Sequence, residues 1–229
     1  MKRFSFLAAI ALIALVALSQ SSTQAVNQSF AERFASASQT GTSGTYEFDK
    51  PHSFIGFKVK HLGLIEVPGF FRDFTGKVNY DAKDITKSSV EFTAKVTSID
   101  TGVDARDNHL RTADFFEVEK YPELTFKSTK VEKKGQSWML TGDLTMKGVT
   151  KSITFPFEIS GWLPADERSG GKMGITAETT INRRDFGVNY GNNLPSGVAA
   201  VSDDVKITLQ IEAGKKKEAA PAAAAAQKN

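Results

Sequence analysis

Cysteine is missing from all 229 residues. Its absence rules out a disulfide framework, thiolate catalysis, thiolate metal sites and a lipid anchor attached through a cysteine. Histidine is scarce, with three copies, and His61 and His109 lie far apart, in no His-x-x-x-His or Glu-x-x-His spacing of a metal site. Neither a Gly-x-Ser-x-Gly elbow nor a phosphate-binding loop occurs. A dominant charge is lacking too. The formal net charge is +3, but Lys2 and Arg3 supply two positive charges, and Lys215, Lys216, Lys217 and Lys228 against Glu218 supply three more, which leaves −2 on the rest. A slightly acidic body of this kind gives no case for nucleic acid as a partner.

Long apolar runs are also lacking, with one exception at the N-terminus. Met1-Lys2-Arg3 leads into an apolar run from Phe4 to Leu18 and then the small, polar stretch Ser19 to Ala25. A basic start, a short apolar centre and a small-residue end make up a secretory signal peptide, and the run is shorter than the ~20 residues of a membrane-spanning helix. We therefore expect residues 1–25 to be removed on export, with Thr23-Gln24-Ala25 as the cleavage site and Ala17-Leu18-Ser19 as its competitor. Residues 26–44, rich in Ser, Thr, Ala, Gln and Gly, read as a flexible linker, and residues 214–229 as a Lys- and Ala-rich tail. One domain remains, over 45–213.

Within that domain the dominant signal is period-two alternation, which places successive side chains on opposite faces of a strand. Ile55, Phe57 and Val59 alternate with Gly56, Lys58 and Lys60; Phe70, Phe74, Val78 and Tyr80 share a face opposite Asp73, Thr75, Lys77 and Asn79. The pattern continues through Val90 to Val96, Leu124 and Phe126, Trp138 to Met146, Val149 to Ile159, Met173 to Ile181 and Val205 to Ile211. With a short segment at Tyr46–Phe48 this is eight or nine strands, and Lys147-Gly148 reads as the tight turn between the sixth and seventh. Residues 103–118 break the rhythm and read as a short helix plus turn, with Asp104 as N-cap and Asp107 and Arg111 as an i,i+4 pair. A long sheet with one apolar face has exposed edges, which closure removes. The fold class is all-β, an antiparallel barrel of about eight strands with a helical insertion; a two-sheet sandwich is the alternative.

Three features carry chemistry. His61 shares parity with Ile55, Phe57 and Val59; Arg72 shares parity with Phe70 and Phe74; and Arg106, Asp107, His109, Arg111 and Asp114 crowd the helical insertion. Each also has a plain structural reading: a hydrogen-bonded strand end, an arginine reaching solvent past its strand, and a solvated helix face with internal ion pairs. Asp203-Asp204 at a strand start reads as turn chemistry.

The string Arg106-Asp107-Asn108-His109-Leu110-Arg111-Thr112-Ala113-Asp114-Phe115-Phe116, with Lys120-Tyr121-Pro122 behind it, resembles the signature of the YceI-like family. Phe57 to Gly63, Gly142 to Lys151 and Arg184-Asp185-Phe186-Gly187 strengthen the resemblance, which covers about residues 45–213. It implies a lipocalin-like, extended barrel whose apolar pore holds an isoprenoid amphiphile, such as a polyprenyl phosphate or an isoprenoid quinone, in the periplasm. It implies no catalysis, no cofactor beyond that ligand and no metal, and it leaves room for a homodimer and for transient membrane contact. On such a barrel the inward parity nominates Ile55, Phe57, Val59, Phe70, Phe74, Phe92, Phe126, Trp138, Leu140, Phe155 and Phe157 as lumen residues. His61, Arg72, Arg106, Asp107, His109, Arg111 and Asp114 become candidates for the polar mouth. The rival readings are a barrel enzyme with His109 or His61 as base, and a structural module whose aromatic interior is simply filled.

Overall fold

Strands rich in aromatic and β-branched residues, each with one apolar face, are stable only if those faces meet, and here they meet by curling into a ring. A computed structural model describes residues 41–166 and 170–215; residues 1–40, 167–169 and 216–229, which include the expected signal peptide, most of the expected linker and most of the expected tail, lie outside them. The strands are β1 (Gly44–Phe48), β2 (Phe54–His61), β3 (Ile65–Phe71), β4 (Phe74–Tyr80), β5 (Ser89–Lys95), β6 (Ile99–Asp100), β7 (Glu123–Lys134), β8 (Ser137–Met146), β9 (Val149–Leu163), β10 (Lys172–Asn182) and β11 (Val201–Lys215). A single α-helix among the described residues, α1 (Asp104–Arg111), follows β6.

These eleven segments form a closed barrel of eight strands. β1 and β2 run one after the other along β11, Phe48 facing Ala213 and Phe54 facing Gln210, so they are one strand interrupted by a turn of 3-10 helix at Lys50–His52. β3 and β4 follow the same logic against β2 and β1, and β5 with β6 against β4 and β3. β7 to β11 are continuous, and each pairs antiparallel with the next. Pairing of β1 with β11 closes the ring, leaving no free edge between the first and last strands.

The expected turn at Lys147-Gly148 joins β8 to β9. Both residues are left-handed, at φ 48° and 75°, which the twist of a two-residue hairpin requires and which glycine adopts without strain. Above it, Lys147 Nζ donates to Ala113 O at 3.0 Å. The Tyr121 ring lies where a Cβ on Gly148 would be, 2.5 Å away, so the Lys120-Tyr121-Pro122 motif caps this turn.

Two readings of the local pattern are corrected. The helix begins at Asp104 with Val103 as its N-cap, and no side chain caps it, so Asp104 is a first-turn acid rather than the cap. Single parity across Phe70–Tyr80 also fails, because the chain kinks at Arg72-Asp73, where Arg72 N–H donates to Ser98 O at 3.1 Å and Asp73 N–H to Ser98 Oγ at 2.9 Å. After the kink, Phe74, Val78 and Tyr80 point inward as expected; before it, Phe71 is the inward residue and Phe70 faces out.

Candidate functional site

Inward side chains of all eight strands surround a cavity of about 430 Å³. Its wall follows β11 from Val201 to Ile211, and ten residues at ~3.3 Å each, tilted by ~40°, give a depth of roughly 25 Å. A cavity of that shape fits a rod better than a ball. Ile55, Phe57, Val59, Phe92, Phe126, Leu140, Phe155 and Phe157 line it, where the alternation puts them. Ile153, Ile175, Ile207 and Leu209 add to the wall.

The other three lumen candidates sit elsewhere. Phe70 packs outside, edge-on to Phe54 at 5.1 Å, because of the kink at Arg72. Phe74 is buried but stands in the core behind Phe92, ring centroids 6.4 Å apart. Trp138 has inward parity, yet it lies at the far end of β8 beneath Lys133 Nζ and lines a shallow depression with Gln136 and Pro156 instead.

At that far end the cavity is stopped by aromatics. Tyr46, 1 % exposed, stands 6.5 Å from Tyr80 and 5.6 Å from Trp162, and Tyr80 lies 4.6 Å from Trp162. Burial pushes the Tyr80 phenol above its ordinary pKa. Trp162 reaches this position because of a β-bulge. Ile175 faces Ile159 and Gly174 faces Gly161, so Ser160 is an extra residue that flips the parity of the residues after it. Gly174 makes room for it, since a Cβ there would lie 2.4 Å from Ser160 Oγ. The lead-in chain then closes over the cluster, with Gly41 against the indole and Tyr46 O–H donating to Thr42 O at 2.8 Å.

The opposite end is open and polar. His61, Thr101, Arg106, His109, Arg183 and Tyr190 line it, and His61, Arg106 and Tyr190 are exposed to solvent there. Helical spacing explains how α1 contributes: positions 106, 109 and 110 share the face toward the cavity, and positions 107 and 111 the face toward β6. Asp107, 6 % exposed, accepts from Thr101 N–H at 2.9 Å and Thr101 Oγ1 at 2.5 Å. Arg111 donates Nε to Thr97 O at 3.0 Å, Nη2 to Ile99 O at 2.9 Å and Nη1 to Asn108 Oδ1 at 2.9 Å. The expected Asp107–Arg111 pair is thus replaced: each residue pins the helix to the preceding strand, and neither lines the cavity.

Arg106 and His109 have the opposite character. Arg106 donates Nε to Thr101 Oγ1 and Nη2 to Thr101 O, both at 2.7 Å, and its Nη1 has no partner among the described residues. His109 Nε2 lies 2.8 Å from the Asp114 carboxylate, and its ring meets Phe115 and Tyr190 edge-on at 5.1 and 4.8 Å. Asp114 touches the site only through that imidazole. Arg72 is outside the wall altogether: Nε donates to Asp100 at 2.9 Å, and the guanidinium lies over the Phe70 ring. The carboxyl of Asp100 sits below its ordinary pKa because Gly102 N–H and Arg72 both bond it.

Arg183 is the residue the sequence reading missed. It lines the cavity at 4 % exposure and donates to Val188 O at 2.6 Å, Ser202 O at 2.9 Å, Asp203 Oδ1 at 3.1 Å and Val201 O at 3.2 Å. Burial pulls its pKa below the usual guanidinium value, with Asp203 working the other way. Arg184 shares Asp203, donating Nε at 2.5 Å, and also reaches Asn189 O and Gly191 O. Asp203 is therefore the acceptor of a two-arginine clamp on the 188–203 segment, a role beyond turn chemistry. Its signal was present in the motif at 184–187, one residue too late.

One further cluster has the composition of a metal site. Single ligand atoms of Asp49, His52 and Glu212 lie within 4.8 Å of one another. The Lys172 ammonium already bonds both Asp49 and Glu212 there, so a cation occupies the position an ion would take.

Comparison with known proteins places this geometry. A family model described as the YceI-like domain matches residues 46–213. An Escherichia coli protein named YceI is 37 % identical over 176 residues, covering 76 % of this chain and 88 % of its own length. A Photorhabdus laumondii protein is 36 % identical over 177 residues with the same coverage. Among solved structures, the Campylobacter jejuni YceI protein matches with a TM-score of 0.58 and 33 % identity, over 74 % of this chain and 96 % of that one. A polyisoprenoid-binding domain from Saccharophagus degradans, 15 % identical, matches with a TM-score of 0.56 over 75 % and 98 %; at that identity the likeness is one of fold.

Proposed function

The chain belongs to the YceI-like family, and on that premise we propose that it is a binding protein rather than an enzyme, holding an isoprenoid amphiphile with its tail in the lumen and its head group at the polar mouth. The carrying observation is the cavity itself: deep, walled by aliphatic and aromatic side chains, stopped at one end and fringed with a few polar groups at the other. A barrel serving only as a structural module would fill that space with its own side chains. The fold neighbour from Saccharophagus degradans, described as binding a polyisoprenoid, supports the same ligand class.

Burial physics accounts for the division of labour. Each methylene taken from water contributes about 0.8 kcal/mol, so a tail is held without any specific bond. Discrimination then falls to the mouth, where Arg106 Nη1 offers two donors in a plane, a geometry suited to phosphate oxygens. An isoprenoid quinone would need a single neutral donor, which the Tyr190 hydroxyl or His61 could provide. We place the protein in the periplasm, carrying ligand between membranes or to an enzyme, after loss of residues 1–25. An enzyme on this barrel would use His109 or His61 as base, and His109 is held against the Asp114 carboxylate between the Phe115 and Tyr190 rings.

The test is direct. Organic-solvent extraction of the purified protein followed by mass spectrometry is expected to release an isoprenoid at close to one molecule per chain. Recovery of an empty barrel that also binds no added polyprenyl phosphate or quinone removes the proposal.

A further inference from the structure

Exposed large apolar side chains are not scattered over this barrel. Leu64 (77 % exposed), Ile65 (63 %), Tyr190, Leu194, Val198 and Val103 all stand at the end where the cavity opens, and among the described residues only Phe54 and Leu163 stand elsewhere. Most of them form one lip. The β2–β3 turn carries Leu64 and Ile65, and Leu62 N–H donates to Ala200 O at 3.0 Å, tying the turn to the 190–200 loop. That loop is closed on itself by Leu194 N–H to Val198 O at 2.8 Å and by a bridge between Asn193 and Ala199. The lip is therefore a hydrogen-bonded structure that presents apolar side chains, and it continues without a break into His61, Tyr190 and Val201 of the cavity wall.

We propose that this lip docks on a lipid bilayer with anionic head groups, seating the mouth of the barrel directly on the membrane. The inference rests on the binding function proposed above. Three features favour a bilayer over a protein partner. Aliphatic tips on two short loops, with a tyrosine beside them, match the boundary between head groups and acyl chains. The outer face of the adjoining hairpin is basic: β2 presents Lys58 and Lys60 to solvent, and β3 answers with Glu66, which Lys206 of β11 already bonds. Finally, an apolar tail leaving through the lip would pass from lumen to membrane without crossing water, which is the costly step for such a molecule.

Flotation of the purified protein with vesicles tests this. The wild type is expected to float with phosphatidylethanolamine/phosphatidylglycerol vesicles and to bind pure phosphatidylcholine vesicles several-fold more weakly. Leu64→Asp and Ile65→Asp, both at exposed positions that leave the core intact, should lower vesicle binding at least tenfold. Leu163→Asp, at the closed end, should float like the wild type. Titration with detergent-dispersed polyprenyl phosphate separates the two proposals, since the lip variants keep wild-type affinity there while losing vesicles; a wild type that binds no polyprenyl phosphate refutes the function, not the docking alone. Wild-type protein that fails to float, an equal loss in Leu163→Asp, or lip variants that alter only self-association in sedimentation would overturn the docking surface.

Discussion

Arg111→Ala should destabilise the barrel and leave its ligand affinity alone, although Arg111 belongs to the same polar cluster as Arg106. Its guanidinium bonds the carbonyls of Thr97, in the 3-10 turn before β6, and of Ile99 in β6 itself. A bond from a charged donor contributes ~1.5–3 kcal/mol when desolvated. Only the bond to Ile99 is part-buried, so the lower end applies there, and the exposed bonds to Thr97 and Asn108 add less; the total is about 2 kcal/mol. At ~2–4 °C per kcal/mol for a domain of this size, the melting temperature falls by about 4–8 °C. Arg106→Ala has the converse profile. Its bonds to Thr101 are exposed and cost little stability, but losing a charge-assisted bond to a phosphate head group weakens binding about ten- to hundredfold. Thermal melts of the empty proteins, run beside titrations with a polyprenyl phosphate, read both quantities. Equal loss of affinity in the two variants would show that the helix acts as a unit and that the division between its two faces is mistaken.

Phe155→Asp should abolish lipid co-purification, because the carboxylate would stand unpaired against Phe126 in the lumen wall, while Thr154→Asp on the outer face should change neither lipid content nor melting temperature by much; extraction and melts of both variants give the comparison, and equal effects would disprove the strand parity. The clip at Asp49 should appear in the acid limb of stability. His52, first, and Lys172 hold the Asp49 carboxyl below its ordinary pKa against the effect of burial, so its contribution is present at neutral pH and is lost as pH falls from the ordinary carboxylate value through the lowered one. Asp49→Asn should flatten that part of the melting-temperature profile, and an unchanged acid limb would exclude the clip as its source. Export should leave a protein beginning near Val26 in the periplasmic fraction; an intact mass that still includes residues 1–25 would contradict the signal-peptide reading.

Strand positions were legible in the sequence wherever a strand is regular, because parity alone decides which face is buried. Ile55, Phe57, Phe92, Phe126, Leu140 and Phe155 needed nothing more. Irregularities were illegible: the kink at Arg72-Asp73 exchanges Phe70 for Phe71, the extra Thr129 in β7 turns Val131 inward, and the extra Ser160 does the same for Trp162. A bulge leaves no compositional mark beyond an occasional glycine such as Gly174, so reading parity across one inverts every residue beyond it. The polar cluster was visible as composition but not as geometry. Which of Arg106, Asp107, His109 and Arg111 faces the lumen depends on where the helix lies against β6, and that is a tertiary fact. Arg183 was hidden for a related reason, since its acceptors are mostly backbone carbonyls, those of Val188 and of Val201 and Ser202 at the start of β11.

The aromatic stop formed by Tyr46, Tyr80 and Trp162 makes this barrel a vessel and not a pipe. A tube open at both ends could stand between two membranes and pass molecules through in single file, first in, first out. With one end shut, whatever the lumen holds must leave by the opening through which it came, last part in, first part out. A molecule entering tail-first therefore emerges head-first, and a carrier built on this plan would have to let go of one surface and turn over before it served another. Its throughput would be set by tumbling and re-encounter, and lengthening the barrel would not make it a bridge.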